Sequence, residues 1–262
     1  MSDEDDLAAA DAETAKELGK EAGGYLWNVI REPHVTCAVC GTPIQPQYTY
    51  CATCNSNRFT DGVADLVVPL VYCVESTQSY ELFRGYKDHA VASVRSGHMW
   101  VLERLLYLGI IHHRRCIERR IGAKIDAYVA VPSLSGRKTP HPFVEKTAQL
   151  GLTDDSLRLM AAPNATSARV VAASQFHVLP DGVNLTGQHI VIVDDTWTRG
   201  SRTQSAALAL RKHGAKYVTI LTMARYLVPT TTYANNDAFI KGRLQGTDYD
   251  PLICPVTGGD CP

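Results

Sequence analysis

The sequence predicts an α/β protein: an open, mostly parallel sheet with helices on both faces, preceded by a small zinc-binding module. Three observations lead there. Short runs rich in Val and Ile recur between helical stretches, at Leu66 to Val74, Ile125 to Ser133, Ala168 to Ala173, His189 to Asp195 and Tyr217 to Ala224. Strands that alternate with helices favour parallel pairing, because parallel neighbours need a crossover connection. The run LVVPLVYCV is apolar throughout, as befits a strand covered on both faces. Ahead of it, CAVCGTPIQPQYTYCATC sets two Cys-x-x-Cys pairs ten residues apart, in text too poor in apolar residues to bury a core of its own.

Composition fixes the bounds. With 262 residues, 45% hydrophobic and 20% charged, the chain is globular, which excludes disordered, collagen-like and coiled-coil classes. A net charge of −1 gives no general attraction to nucleic acid or anionic lipid. Residues 1–22 carry eight acids against Lys16 and Lys20, so the leader is acidic and the body mildly basic. An exposed helix over 5–22, ending at Gly23-Gly24, is expected to form a mobile leader. No apolar stretch reaches the ~18–20 residues of a bilayer span, and the start is acidic where a secretion signal would be basic and then apolar. The expectation is a cytoplasmic protein with no membrane partner. Cysteines there serve as metal ligands or buried apolar residues more often than as disulfides.

Along the chain, 1–34 reads as the acidic helical leader, 35–60 as the cysteine module, 61–228 as the α/β domain and 229–262 as a polar tail or hood. Within the domain a long helix is expected from Ser93 to Arg120, with Val94, Trp100, Val101, Leu105, Leu108 and Ile111 near helical spacing. Further helices are expected at Phe143 to Leu150 and Thr203 to His213.

Cys37, Cys40, Cys51 and Cys54 can each offer a thiolate toward one point. Four sulfurs at ~2.3 Å satisfy a tetrahedral zinc and leave no position for a catalytic water, so the metal is structural. Gly41 fits the tight turn after the second ligand, while Pro43 and Pro46 restrain the connecting loop. A reduced metal-free pair of turns and a redox-active dithiol are the alternatives. His34 is a bystander once four sulfurs fill the shell. Cys254 and Cys261 flank a turn and can pair or help a second metal, and Cys73 and Cys116 read as packing residues. None of these four is assigned a function.

The richest stretch is HIVIVDDTWTRGSRTQSAALALRKHGA. An apolar strand, Ile190 to Val193, delivers Asp194 and Asp195 at its carboxyl end, and a turn leads into a helix near Thr203. The backbone N–H groups of Arg199 to Arg202 can face an anion, backed by the positive end of the helix. Gly200 permits close approach, and Thr198 and Ser201 offer hydroxyls. Such a cradle suits a phosphate monoester, while two carboxylates nearby can accept from sugar hydroxyls or hold a divalent cation. The implied ligand is a phosphorylated sugar. An acid pair alone also occurs in receiver domains, phosphatases and surface turns; no GxxxxGK[ST] or GxGxxG stands in the chain.

The full order of apolar strand, acid pair, Thr-x-Gly turn and alanine-rich helix resembles the phosphoribosyl pyrophosphate (PRPP) motif of type I phosphoribosyltransferases. With the four-cysteine segment upstream and SYELFRGYKDH (Ser79 to His89), the chain resembles the ComF-type group over roughly residues 35–228. The resemblance implies that Asp194 and Asp195 contact the ribose hydroxyls and that Thr198, Arg199, Gly200, Ser201 and Arg202 wrap the 5′-phosphate. The family usually has Thr where Arg202 stands. VAVPSLSGRKTPHP looks like the family's pyrophosphate loop, with Pro132, Ser133 and Arg137 near a strand end; an ordinary polar loop would read alike. Implied cofactors are Mg²⁺ with PRPP and structural Zn²⁺, and the implied reaction transfers phosphoribose to an unknown small-molecule acceptor with release of pyrophosphate. His141, His177 and His213 are acid–base candidates or ordinary histidines, and Tyr226 with the tail a possible acceptor hood. The alternative class is a non-catalytic PRPP sensor, or a nucleic-acid accessory that uses the cationic cluster Arg114, Arg115, Arg119, Arg120 and Lys124.

Overall fold

The structure is a computed structural model that describes residues 3–134, 141–166, 170–231 and 236–262, with side chains described from residue 9 onward. Five strands form one sheet in the order β1-β2-β7-β6-β3: β1 (Trp27–Asn28), β2 (Leu66–Val74), β3 (Ala127–Ala130), β6 (His189–Trp197) and β7 (Tyr217–Leu227). A separate antiparallel pair joins β4 (Arg158–Ala161) to β5 (Phe176–Leu179). Strand β3 runs parallel to β6, whereas the edge strand β1 is antiparallel to β2. Bonds from Asp65 N to Val218 O and from Glu75 N to Leu227 O advance in the same sense along both strands, so β2 and β7 are parallel as well. The sheet is therefore α/β and mostly parallel, as expected from the buried Val/Ile runs. Pro69 is tolerated within β2 because β1 pairs only with Val71 and Tyr72, leaving the stretch around the proline without a partner on that side among the described residues.

The chain divides into two compact units. The first comprises residues 1–51, 69–117 and 223–262. Here the leader departs from the expectation of an exposed helix: α1 (Asp3–Ala22) is docked. Asp11, Ala15, Leu18 and Ala22, spaced four, three and four apart, form one buried stripe. Asp11 accepts from the Tyr107 hydroxyl at 3.0 Å and faces His112 Nδ1 at 3.0 Å, and Arg104 Nε reaches Glu17 at 3.2 Å. Alanines let this helix approach its neighbour closely, and Asp11 and Glu17, which looked solvated, have hydroxyl, imidazole and guanidinium partners.

The expected long helix is three pieces: α4 (Ala92–Tyr107), a π-helical turn (Leu108–His112) and α5 (Arg114–Ile121). A Cβ at Gly109 would stand 2.5 Å from Leu70, so the helix runs against β2 at closer range than any other residue would permit. The tail contributes α8 (Asn236–Phe239) and a π-helical turn (Ile240–Leu244), whose Phe239, Ile240 and Leu244 join Trp27, Val29, Tyr72, Val74 and Leu227 in a buried cluster.

The second unit comprises residues 52–68 and 118–222. It holds α2 (Ala52–Asn57), α6 (Pro142–Gln149) and α7 (Ser201–Lys212), while α3 (Gln78–Asp88) belongs to the first. The strand expected at 168–173 does not form among its described residues: a 3-10 turn occupies Ala173–Gln175 and β5 follows. The Ser205 hydroxyl of α7 accepts from Ala172 N–H at 3.0 Å and lies 3.3 Å from Val170 O, giving this backbone polar partners outside a ladder. No described helix is long and apolar enough to cross a membrane.

Candidate functional site

Strand β6 carries the acid pair. Ile190 to Val193 are fully buried, and pairing continues past the acids to Trp197, so Asp194 and Asp195 lie just inside the carboxyl end and not beyond it. Both are buried, at 3% and 2% exposure. A carboxylate in that setting needs compensation. Arg202 supplies it: its Nη2 donates to both Asp194 oxygens at 2.7 and 2.8 Å and stands 3.7 Å from Asp195 Oδ1. His141, at the start of α6, places Nε2 3.8 Å from Asp195 Oδ2. Asp195 N–H also donates to Asp194 Oδ1 at 3.0 Å. Burial pushes the Asp194 carboxyl up to about 6; the Arg202 guanidinium pulls against that rise and the neighbouring Asp195 charge adds to it.

The turn after β6 grades from exposed to partly buried. Thr198 and Arg199 are exposed, and Gly200, Ser201 and Arg202 are partly buried. Gly200 caps α7 in the left-handed region with φ of 74°, and a Cβ there would lie 2.2 Å from the Trp197 ring. The buried indole therefore fills the underside of the turn, and only glycine fits above it. Thr203 Oγ1 donates to Gly200 O at 3.1 Å, closing the first helical turn. At that end of α7 backbone N–H groups and the hydroxyls of Thr198 and Ser201 can meet an anion.

Parallel register brings the third predicted segment alongside. Ala130 pairs with Val193, and Val131 N–H donates to Val193 O at 3.2 Å, so Pro132 and Ser133, both partly buried, continue next to the acid pair. Arg137 lies outside the described residues. His141 was legible only as one histidine among several. His177 is exposed on β5, and His213 turns its Nδ1 to Val183 O at 3.2 Å. Arg114, Arg115, Arg119, Arg120 and Lys124 are all exposed, as a solvated face would be.

The cysteine module gathers its four sulfurs to within 4.8 Å of one another, a set that could hold a metal such as zinc. Cys40 and Cys51 sulfurs are 3.8 Å apart, and two ~2.3 Å bonds at the tetrahedral angle require ~3.8 Å. Gly41, with φ of 69°, donates its N–H to Cys37 O at 3.0 Å and so closes the expected knuckle; a Cβ there would strike Val29 at 2.6 Å. The buried Tyr72 hydroxyl donates to Gly41 O at 2.6 Å and holds the knuckle from below. His34 faces Pro46 O at 2.9 Å, as a bystander should. Comparison with known proteins finds no family model and no curated relative that matches the chain.

Proposed function

We propose that the chain is a type I phosphoribosyltransferase-like protein of the ComF type, which binds PRPP with magnesium and transfers phosphoribose to a small nucleophile, releasing pyrophosphate. What carries the reading is the β3–β6 register, which sets the acid pair, the 198–202 turn and Pro132-Ser133 at one end of two parallel strands. Ligands of such sheets bind at that end. Asp194 and Asp195 accept from the ribose hydroxyls, and those donors take over the role that Arg202 plays toward Asp194. The released guanidinium and the N–H groups of 199–202 hold the 5′-phosphate. Magnesium arrives with the diphosphate as part of the substrate and balances the charge of the leaving group. Asp195, with His141 beside it, lies where positive charge develops on the sugar, and positioning by both ends of the pentose supplies most of the acceleration. The four-thiolate module holds a structural zinc.

Calorimetry of the full chain with PRPP and magnesium tests this. Saturable binding that is lost in the Asp194→Asn, Asp195→Asn double variant is expected, together with pyrophosphate release for at least one member of a panel of bases and amines. Binding without release across the panel replaces transfer by sensing. No binding at saturating magnesium ends the proposal.

A further inference from the structure

A second cluster of potential metal ligands, distinct in its residues from both predicted sites, lies in the first unit. His113, Cys116, Cys254 and Cys261 bring their ligand atoms to within 4.8 Å of one another. His113 Nδ1 is 3.6 Å from Cys261 Sγ and 4.0 Å from Cys116 Sγ. A zinc with one nitrogen at ~2.0–2.1 Å and sulfurs at ~2.3 Å in a tetrahedron requires N···S separations of ~3.5 Å and S···S separations of ~3.8 Å. The two His113 N···S distances are within about half an ångström of the former value. None of the eight cysteines takes part in a disulfide.

Each half of the cluster is shaped by its own backbone. His113 follows the π-helical turn, donating its N–H to Leu108 O at 3.1 Å, and its carbonyl accepts from Cys116 N–H at 3.1 Å. The one-residue shift of that turn re-aims the chain, and Cys116 sits three residues on, on the same side of α5. In the tail, Cys254 N–H donates to Gly259 O at 2.8 Å and Gly258 N–H to Cys254 O at 2.7 Å, while Thr257 Oγ1 donates to Asp260 O at 2.7 Å. These bonds fold 254–261 into a closed turn that returns Cys261 to Cys254. Gly258, with φ of 80°, lies against Arg31, where a Cβ would meet the arginine at 2.8 Å.

Three of the four groups, His113, Cys116 and Cys254, are buried and Cys261 is exposed, so the cluster is dry on one side and has an entry path on the other. Arg31 adds electrostatic support. Its Nη1 donates to Val39 O at 3.0 Å inside the first cysteine knuckle and its Nε to Pro255 O at 3.2 Å beside Cys254. Cys37, Cys40 and Cys254 are among the groups that, once ionised, would act on the guanidinium. A Cys₄ zinc carries net −2 and a HisCys₃ zinc net −1, and a cation between them offsets both. His112 packs its ring edge-on to His113, with centroids 4.7 Å apart, and is itself held by Asp11.

We infer that His113, through Nδ1, and Cys116, Cys254 and Cys261 form a second, closed metal site for one tetrahedral borderline-soft divalent cation, zinc by its donor set. The ligand atoms stand too close together for an iron–sulfur cluster, whose four ligands are spread over two or four irons. Four protein donors leave no open position, so the site is structural.

Metal analysis of the full-length protein, purified under reducing conditions, decides it. About two zinc ions per chain are expected, falling to about one in Cys261→Ser, at the exposed position least able to disturb folding, and to about one in Cys37→Ser. Cobalt substitution of Cys37→Ser should give the sulfur-to-metal charge-transfer and intense visible bands of a tetrahedral thiolate site, and Cys116→Ser in that background should abolish them. Loss of all metal in Cys261→Ser, with none lost in Cys37→Ser, supports this site and removes zinc from the other. Wild-type zinc that Cys261→Ser leaves unchanged, or a disulfide among these three cysteines in the purified chain, overturns the inference.

Discussion

Replacing Gly200 with alanine isolates the turn on which the phosphate reading depends. Two costs are separable. The residue sits at φ of 74°, where an L side chain loses about 1–2 kcal/mol. The new Cβ would also lie 2.2 Å from the Trp197 ring, which is 2% exposed, and shifting a packed side chain costs about 1–3 kcal/mol. Together Gly200→Ala should destabilise the chain by about 2–5 kcal/mol. In a Trp197→Leu background the ring is gone and only the backbone cost of about 1–2 kcal/mol should remain. Urea unfolding followed by far-ultraviolet circular dichroism reads both numbers without depending on the indole. PRPP affinity, measured in parallel, should fall in Gly200→Ala and recover in part with Trp197→Leu. A loss under about 0.5 kcal/mol, or the same loss in both backgrounds, would refute the close packing of indole and turn.

Asp194 should mark the protein's pH dependence. Burial holds its folded carboxyl at about 6, above the ordinary aspartate value of 3.8, so the native state holds a proton more tightly than the unfolded chain and ionisation costs ~3 kcal/mol. That cost is absent below about pH 4 and complete above about pH 6. Asp194→Asn should therefore gain stability relative to wild type across this window; a difference independent of pH would show that Arg202 compensates the buried charge in full. Tyr72→Phe removes the hydroxyl that donates to Gly41 O at 2.6 Å and accepts from Ile30 N–H at 3.3 Å. A loss of about 1–3 kcal/mol is expected, with faster surrender of zinc to a chelator. Unchanged release kinetics would separate the tyrosine from the knuckle.

What the sequence made legible follows from how local each signal is. The run Ile190 to Val193 reads as a buried strand because every residue in it is apolar, and the Cys-x-x-Cys pairs declare themselves because each knuckle is a few residues long. The Gly200 turn is local in the same way. Register is not local: nothing in the text says that Val131 meets Val193, and hence that Pro132 and Ser133 lie beside the acids. Arg202 reads as a phosphate ligand, yet in the apo chain it neutralises Asp194, a partner only burial could reveal. The leader looked solvated because its charges outnumber its apolar residues, although the alanine and leucine stripe at 15, 18 and 22 carried the docking signal. The periodic text from 93 to 120 hides a π-helical turn, since apolar spacing does not register one extra residue. Val170 to Ala173 has strand-like composition but finds a serine hydroxyl where a ladder would be. His113 and Cys116 have the three-residue spacing of a knuckle but stayed invisible because they sit in helical text and their partners Cys254 and Cys261 lie far along the chain, 148 residues from His113 to Cys261.

The first unit is woven from three stretches, and His113 and Cys261 stand 148 residues apart in the chain. Tying ends so distant removes on the order of 5 kcal/mol of conformational freedom from the unfolded ensemble, comparable to a covalent crosslink. A cation gripped from both sides would work as a reversible clasp, fastened only once the tail has come home and unfastened by a chelator instead of a reductant. The same polypeptide would then hold its shape in reducing surroundings, where a disulfide could not last.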